Sequence, residues 1–347
     1  MRVGIWSFYA ELAINDNMRT AASGGLGDDA FYGQNQLYFI GSKRNINFIS
    51  LDQVEDLNIL DAILVFDYPK PVRRNCKICK QVINKLDKFS KKKYLILHEC
   101  EVIKPNNWIL SNHFEWHKIF TWDDSYVDGK KYIKLNAAPR KIPKNLTFNR
   151  IPNKHSVMIA SNKRSFHPKE LYTERRRCIE WYEKEHEKFD LFGVGWDTYS
   201  FPTDNWFTRK LNRISSLNKS MAPNYKNWKG ALDSKTNIRG QYKFHYAYEN
   251  AHNISGYILE KIFDAFVAES VPIYLGASNV ENHIPRDCFI DKREFLTYEE
   301  LDNYLVSMSN ETYLKYMSAI RDFIYSNKFD PYSVESYVHT ILENLKR

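Results

Sequence analysis

Short apolar runs alternate with helix-patterned segments through both halves of this chain, and no other feature constrains its fold as much. VGIWSF (3–8), AILVFDYP (62–69) and HSVMIAS (155–161) have the length and composition of strands buried on both faces of a sheet. Helix-patterned segments stand between most of these runs. Because strands that alternate with helices pair in parallel, the pattern predicts an α/β fold with helices on both faces of each sheet.

One irregular segment divides this pattern in two. The 347 residues exceed the size of one typical core, so we expect about two domains. Residues 136–154 carry three prolines and no clear periodicity. The sequence predicts a Rossmann-like domain at 1–140, a linker at 141–154, a second Rossmann-like domain at 155–330, and a helix at 331–347 that packs back on the first domain. Two such domains would face a cleft.

The net charge of +8 favours anionic partners. Nucleic acid, an anionic membrane surface and a phosphorylated small molecule would each fit this charge. The sequence has no zinc-finger spacing and no RNA-binding aromatic motif, so we expect no nucleic-acid partner. It also lacks a run of about 18 apolar residues and an apolar leader. These features predict a cytoplasmic protein, at most in peripheral contact with an anionic inner membrane.

The five cysteines predict reduced thiols and no metal site. An odd number of cysteines without a leader is typical of the cytosol. Cys76 and Cys79 form a lone CxxC pair, whereas a zinc site needs further ligands. Asp123 and Asp124 follow a strand-like run but are more typical of a turn than of a metal-binding pair.

A polar helix start near residue 256 suggests a binding function. The spacing predicts a helix from about Gly256 to Ala268. Its buried stripe would comprise Ile258, Ile262, Ala265 and Phe266. Tyr257, Glu260 and Lys261 would share another face of the first turn, where free N–H groups and the helix dipole attract anions. This pattern fits a diphosphate seat, and the alternative is a solvated face with a Glu–Lys pair.

The surrounding sequence resembles a known family. YKFHYAYEN (242–250), GYILEK (256–261), VPIYLG (271–276) and IPRDCFID (284–291) stand in the order and near the spacing of the donor-binding motif of glycosyltransferase family 10, the α-1,3/4-fucosyltransferases. The segments SNKRSF, ERRRCIEWYEK and FDLFGVGW resemble the family as well, as does LILHECEVIKPNNW in the N-terminal half. The resemblance covers about residues 90–300. Leu259 stands where the family usually has Thr, and Cys100 stands where a small residue or Pro is common.

The resemblance implies a GT-B fold and an inverting transferase. The C-terminal domain would bind GDP-fucose, and the N-terminal domain would hold a glycan acceptor, giving an α-1,3 or α-1,4 fucoside without metal or another cofactor. Glu99 would be the general base, with Glu101 as the alternate. The donor would be bound by Arg175 (alternate Arg176), Asn250, Tyr257, Glu260 and Lys261, with Glu249 supporting the loop.

The glycine-rich segment SGGLGDD (23–29) lacks the spacing of phosphate-binding loops. Gly24 and Gly25 would lie on the acceptor side of the cleft, as in other GT-B enzymes, or in a plain flexible loop.

Two other functions stay open at this stage. A family relative could use a different GDP-sugar, because Leu259 would lie beside the sugar. A nonenzymatic module that binds glycans or anions is the alternative from another class. For a transferase, the missing anchor and the Lys/Asn-rich sequence suggest a bacterial enzyme that modifies a surface glycan, with an acceptor that could be lipid-linked. The pathway could be protein glycosylation or lipopolysaccharide and O-antigen synthesis.

Overall fold

Two compact units make up this computed structural model. It describes residues 1–20, 31–71, 76–136, 142–185, 188–232 and 234–346. Unit 1 comprises Met1–Lys141 and Asp330–Arg347, and unit 2 comprises Ile142–Phe329. None of the helices within the described ranges is long and apolar enough to cross a membrane.

Unit 1 is built on a six-stranded parallel sheet. The strand order is β2-β1-β3-β4-β5-β6, with the first five strands drawn from the apolar runs of the sequence. In chain order its elements up to residue 141 are β1 (Arg2–Ser7), α1 (Ala10–Ala13), α2 (Asn17–Thr20), α3 (Tyr32–Lys43), β2 (Asn47–Ser50), β3 (Ala62–Phe66), α4 (Lys77–Lys88), β4 (Lys92–Leu97), β5 (Lys118–Thr121) and β6 (Tyr132–Lys134).

Unit 2 is built on a five-stranded parallel sheet. The strand order is β11-β10-β9-β7-β8. Its elements are β7 (Lys154–Ile159), α5 (Tyr172–Glu185), β8 (Phe189–Phe192), α6 (Trp206–Leu211), α7 (Ser215–Ser220), β9 (Tyr242–Tyr248), α8 (Glu260–Val267), β10 (Val271–Leu275), β11 (Ile290–Asp291), α9 (Tyr298–Ser307) and α10 (Asn310–Ile324). Thr297 closes the capping box that the sequence predicts at the start of α9.

The last helix, α11 (Val334–Lys346), belongs to unit 1 although it follows unit 2 in the chain. Its apolar positions recur at helical spacing and join the core of unit 1; they are Val334, Tyr337, Val338, Ile341, Leu342 and Leu345. The chain therefore returns to its N-terminal unit to complete that core.

Several boundaries differ from the sequence-based prediction. Strand β11 ends at Asp291, because the Asp291 carboxylate accepts a hydrogen bond from Arg293 N and begins a 3₁₀ turn. Strand β6 was not predicted, since its three residues are only half-buried and carry no apolar run.

The prediction of reduced thiols is wrong for one pair of cysteines. Cys76 and Cys79 form a disulfide at the start of α4, with their Cα atoms 5.3 Å apart. One helical turn separates the two residues, which brings their side chains within bonding distance. Cys100, Cys178 and Cys288 are free and buried.

The segment predicted as a linker is tied to unit 2 over part of its length. The Glu269 carboxylate accepts hydrogen bonds from Thr147 N, from Thr147 Oγ1 at 2.8 Å and from Phe148 N at 3.1 Å. These bonds lower the pKa of Glu269 despite its partial burial. Residues 137–141 lie outside the described residues.

We expect α11 to be required for the stability of unit 1. Ile341→Ala should lower the free energy of unfolding by about 2–5 kcal/mol, because Ile341 is fully buried in the core of that unit. Urea unfolding of the full chain measures this as an earlier first transition. Glu335→Ala, at an exposed position of the same helix, is the control and should unfold like the wild type. Equal midpoints for the two variants would contradict the packing described here.

Candidate functional site

The donor-motif residues of unit 2 lie where β9 ends and α8 begins, at the carboxyl edge of a parallel sheet. Ligands of open α/β sheets bind at this edge. Close packing against β10 shapes the site, because a Cβ atom on Gly276 would come within 2.6 Å of Glu249 Cγ and 2.5 Å of Tyr274 Oη. Only glycine leaves room for Glu249 at that point of the neighbouring strand.

Glu249 is fully buried and fixes the start of α8. Its Oε1 accepts a hydrogen bond from Leu259 N at 2.8 Å, so the carboxylate bonds one of the N–H groups at the helix start. Its Oε2 is also buried and has no hydrogen-bond partner among the described residues. Burial raises the pKa of Glu249 to about 8, although the positive charges of Lys261 and Arg175 oppose the shift.

Helix α8 begins at Glu260, which corrects the predicted start at Gly256. Gly256 has φ +74°, outside the helical region, and Leu259 N bonds to Glu249 instead of to a helical carbonyl. The residues predicted as a buried stripe are all buried. Tyr257 is fully buried as well, in the turn before the helix and not on its polar face.

Glu260 and Lys261 are the first two residues of α8. Lys261 Nζ forms an ion pair with Glu260 Oε1, and both side chains remain partly exposed. A cation and hydrogen-bond acceptors therefore lie together at the positive end of the helix dipole. The arrangement can bind an anion through Lys261 and hydroxyl groups through Glu260.

Arg175 lies beneath this loop, on α5, with 5% of its surface exposed. Its Nη2 donates to Tyr248 O and Glu249 O, both at 2.7 Å, and to Asn250 Oδ1 at 3.0 Å. The guanidinium thus holds the end of β9 and orients Asn250. Burial lowers its pKa, and the neighbouring carboxylates oppose this effect. These contacts indicate a positioning role for Arg175 beside any contact with a ligand.

Arg176, the alternate, lies nearer the surface. Its Nη1 donates to Lys163 O and its Nη2 to Thr173 Oγ1, both at 3.0 Å. Burial and the charge of Arg164 lower its pKa. Arg164 itself follows the carboxyl end of β7 and stacks 4.2 Å from the Tyr199 ring. Arg164 is not predictable as a site residue from the sequence, because one arginine in a polar loop carries no distinguishing pattern.

In unit 1 a buried carboxylate holds the loop that carries Glu99. Asp67 ends β3 with φ +58° and is 2% exposed. Its Oδ1 accepts from His98 N at 2.8 Å, Glu99 N at 2.9 Å and Asn107 Nδ2 at 2.6 Å. Three donors on one oxygen fix the backbone at Glu99 just beyond β4.

Further contacts orient the same loop. Asn107 Nδ2 and Trp108 Nε1 both donate to Glu99 O, at 3.0 and 3.1 Å. Tyr9 Oη donates to Glu99 Oε1 at 2.9 Å, which orients the carboxyl group. Neither Tyr9 nor Asn107 can be predicted from the sequence. Tyr9 is 90 residues from Glu99 in the chain, and Asn107 lies in an irregular segment.

Glu101, the alternate base, lies two residues further along the same turn and is half-buried. Lys104 closes this turn through a bond from its N–H to Cys100 O, and its ammonium lies 3.3 Å from the Phe8 ring centroid. Burial lowers the pKa of Lys104 to about 8. Gly24 and Gly25 lie outside the described residues. Within the described part of the chain no three His, Cys, Asp or Glu residues form a possible metal site.

Comparison with known proteins shows the fold and relates the C-terminal part of the chain to one sequence family. Residues 207–337 match the sequence profile described as glycosyltransferase family 10 (fucosyltransferase) C-term. The chain is 44% identical over 85 residues to the mouse 4-galactosyl-N-acetylglucosaminide 3-alpha-L-fucosyltransferase 9, a match that spans 23% of each protein. It is 26% identical over 144 residues to the alpha-(1,3)-fucosyltransferase FucT of Helicobacter pylori, a match that spans 40% of this chain and 27% of that protein.

Solved structures resemble the whole chain. A crystal structure of an alpha1,3-fucosyltransferase is 16% identical with a TM-score of 0.55, and the match covers 100% of this chain and 90% of that one. An alpha-glucosyltransferase in complex with UDP-glucose and DNA is 10% identical with a TM-score of 0.55 over all of both chains. At these identities the likeness shows the fold, which is that of GT-B glycosyltransferases.

The raised pKa of Glu249 predicts that the stability of unit 2 depends on pH. A raised folded-state pKa means that the folded state favours the protonated acid. This contribution to stability is complete below the ordinary pKa of glutamate and is lost as the pH rises through about 8. Glu249→Gln, which keeps a neutral side chain, should therefore gain stability relative to the wild type between pH 6 and pH 9.

Urea unfolding at the two pH values measures this gain. Glu299→Gln removes an exposed glutamate from the same unit and should show no such gain. An equal pH dependence for the wild type and Glu249→Gln would show that the buried carboxyl is ionised throughout.

Proposed function

We propose that this chain is a member of glycosyltransferase family 10, whose C-terminal sequence profile matches residues 207–337, and that it transfers L-fucose from GDP-fucose to a hydroxyl group of a glycan. The product would be an α-1,3 or α-1,4 fucoside. The observation that carries the proposal is the anion seat at the start of α8, where Lys261 and Glu260 stand on a helix end fixed by the buried Glu249.

Unit 2 would bind the donor through this seat. The helix dipole and Lys261 would neutralise the diphosphate, while Glu260 would accept hydrogen bonds from donor hydroxyl groups. Asn250, oriented by Arg175, would contact the nucleotide, and the backbone around the buried Tyr257 would shape the pocket. Arg176 is the alternate phosphate contact, because its guanidinium is nearer the surface than that of Arg175.

Unit 1 would supply the general base. Glu99 would accept the proton of the attacking acceptor hydroxyl, and Asp67 and Asn107 would keep its loop in place. The hydrogen bond from Tyr9 would orient the carboxyl group that acts as the base. Glu101 is the alternate base.

The transfer would be a single displacement with inversion at the sugar. The acceptor oxygen forms its bond to the fucose carbon while the bond to the diphosphate oxygen breaks. The proton passes to Glu99, and the departing GDP keeps the electron pair. Lys261 and the helix dipole stabilise the charge that develops on the leaving group, as electrostatic stabilisation of a transition state requires. We propose that these groups act without a metal ion.

The acceptor and the pathway are proposed from the composition of the sequence. We propose a bacterial surface-glycan acceptor, which could be lipid-linked at the inner membrane. Transfer from a different GDP-sugar is the second candidate function. Leu259 is buried where the family usually has Thr, and this exchange changes the polarity beside the proposed diphosphate site. A nonenzymatic binding module is the alternative if no donor is turned over.

Donor binding is tested by thermal stability with GDP, GDP-fucose, GDP-mannose and UDP-sugars. GDP and GDP-fucose at about 100 times their dissociation constants should each add roughly 2.7 kcal/mol to the free energy of unfolding. Lys261→Ala should remove most of this effect, whereas Lys315→Ala, an exposed lysine of the same unit, should retain it. Equal stabilisation by GDP-mannose would favour another GDP-sugar, and no response to any guanine nucleotide would refute the proposed donor.

The base is tested by turnover. Glu99→Gln should lower kcat by roughly 10²–10⁴-fold, because the variant cannot accept the proton. GDP-induced stabilisation should stay as in the wild type, since Glu99 lies in unit 1. Glu101→Gln is the matched control and should keep most of its activity. A larger loss of kcat in Glu101→Gln than in Glu99→Gln would identify Glu101 as the base.

A further inference from the structure

A segment of unit 2 that is rich in basic residues lies outside the candidate site. Residues 205–232 contain six Lys or Arg residues and no Asp or Glu. Four of these, Arg209, Lys210, Arg213 and Lys219, are exposed on or beside α6 and α7, and none forms an ion pair with a carboxylate of the described residues. The segment therefore presents a net positive charge to solvent.

Large apolar side chains are exposed on the same segment. Trp206 is 68% exposed and Phe207 is 62% exposed, at the first two positions of α6. Ile214 and Met221 are also exposed, before and after α7. Lys210 Nζ lies 3.9 Å from the Trp206 ring centroid, so a cation and an aromatic ring share one side of α6.

The backbone beneath these side chains is held firmly. Asn205 caps α6 by accepting a bond from Thr208 N at 2.9 Å. Asn212 exchanges two hydrogen bonds with Phe201, and Asn218 O accepts from Tyr199 N at 2.8 Å. The short helices are thus fixed to the adjoining loop through polar groups, and their apolar side chains remain outside the core.

We propose that residues 205–221, the α6–α7 surface, bind an anionic lipid bilayer. Lys and Arg side chains are attracted to the negative headgroups, while Trp and Phe rings enter the interfacial region. Single-stranded nucleic acid would also accept basic and aromatic groups, but the aliphatic Ile214 and Met221 favour a hydrocarbon boundary over stacked bases. The inference does not depend on the transferase proposal, because vesicle binding is measured without a donor or an acceptor.

The first test is co-sedimentation of the full chain with vesicles. The protein should bind vesicles of phosphatidylcholine with 30% phosphatidylglycerol and bind pure phosphatidylcholine weakly. Because each basic residue near the surface is worth about 1 kcal/mol, or about fivefold, Arg209→Gln/Lys210→Gln/Arg213→Gln/Lys219→Gln should lower the partition coefficient by roughly 600-fold at low salt. Trp206→Ala/Phe207→Ala should lower it by roughly tenfold.

A matched control is available in unit 1. Phe39 is an exposed aromatic residue with Lys43 Nζ 4.0 Å from its ring centroid, the same pairing as in α6. Phe39→Ala/Lys43→Gln should bind vesicles like the wild type. Far-ultraviolet circular dichroism and thermal unfolding of each variant show that the fold is kept.

The second test places the surface in the membrane. Vesicles with brominated acyl chains should quench tryptophan fluorescence in the wild type, and Trp206→Phe should remove most of that quenching while it still binds. Equal binding to neutral and anionic vesicles, unchanged binding of the fourfold variant, or quenching that persists in Trp206→Phe would each overturn the proposal. Binding to a single-stranded oligonucleotide without binding to any vesicle would overturn it as well.

Discussion

The guanidinium of Arg175 is the contact on which the geometry of unit 2 depends. One nitrogen atom donates to two consecutive carbonyls at the end of β9 and to the Asn250 side chain. The chain can then leave the sheet, place Glu249 in the interior and begin α8 at a defined residue. Breaking such a buried, charged hydrogen-bond network leaves several polar groups without partners, which is among the costliest local changes in a protein.

Each of the two units uses a buried carboxylate to fix a loop at the carboxyl edge of its sheet. In unit 1 the buried Asp67 gathers backbone and side-chain donors and fixes the loop that carries Glu99. In unit 2 the buried Glu249 accepts from the backbone and fixes the start of α8. In both, a carboxylate just beyond a central strand holds a loop at the carboxyl edge of the sheet, and the polar side chains proposed to contact substrate stand on that loop. This division leaves the reactive groups partly exposed while their supports are buried.

Much of this could be predicted from the sequence, and the exceptions have physical reasons. The buried strands β1, β3 and β7 could be predicted because parallel strands form nearly continuous apolar runs in the sequence. The donor-binding residues stay a prediction, which rests on motifs that are close together in the sequence. The start of α8 was misplaced because Gly256–Leu259 continues the helical spacing, while a carboxylate ten residues earlier takes the Leu259 amide. Tyr9 and Arg164 were missed because only the folded chain shows their contacts. The disulfide was not predicted because an odd number of cysteines favours reduced thiols. The helical spacing of the CxxC pair nevertheless brings its two side chains together.

Because Gly276 has no side chain, Glu249 and Tyr274 can pack beside it, and both contact the turn before α8. Tyr274 Oη donates to Tyr257 O, and Ala277 N donates to Tyr274 Oη, so β10 already contacts the turn before α8. Any side chain at 276 would displace either that hydroxyl or Glu249, and the amide of Leu259 would lose its acceptor. The position of the first helical turn is therefore set by the spacing between two strands, and a substitution at this buried glycine would shift that turn although residue 276 is not part of it.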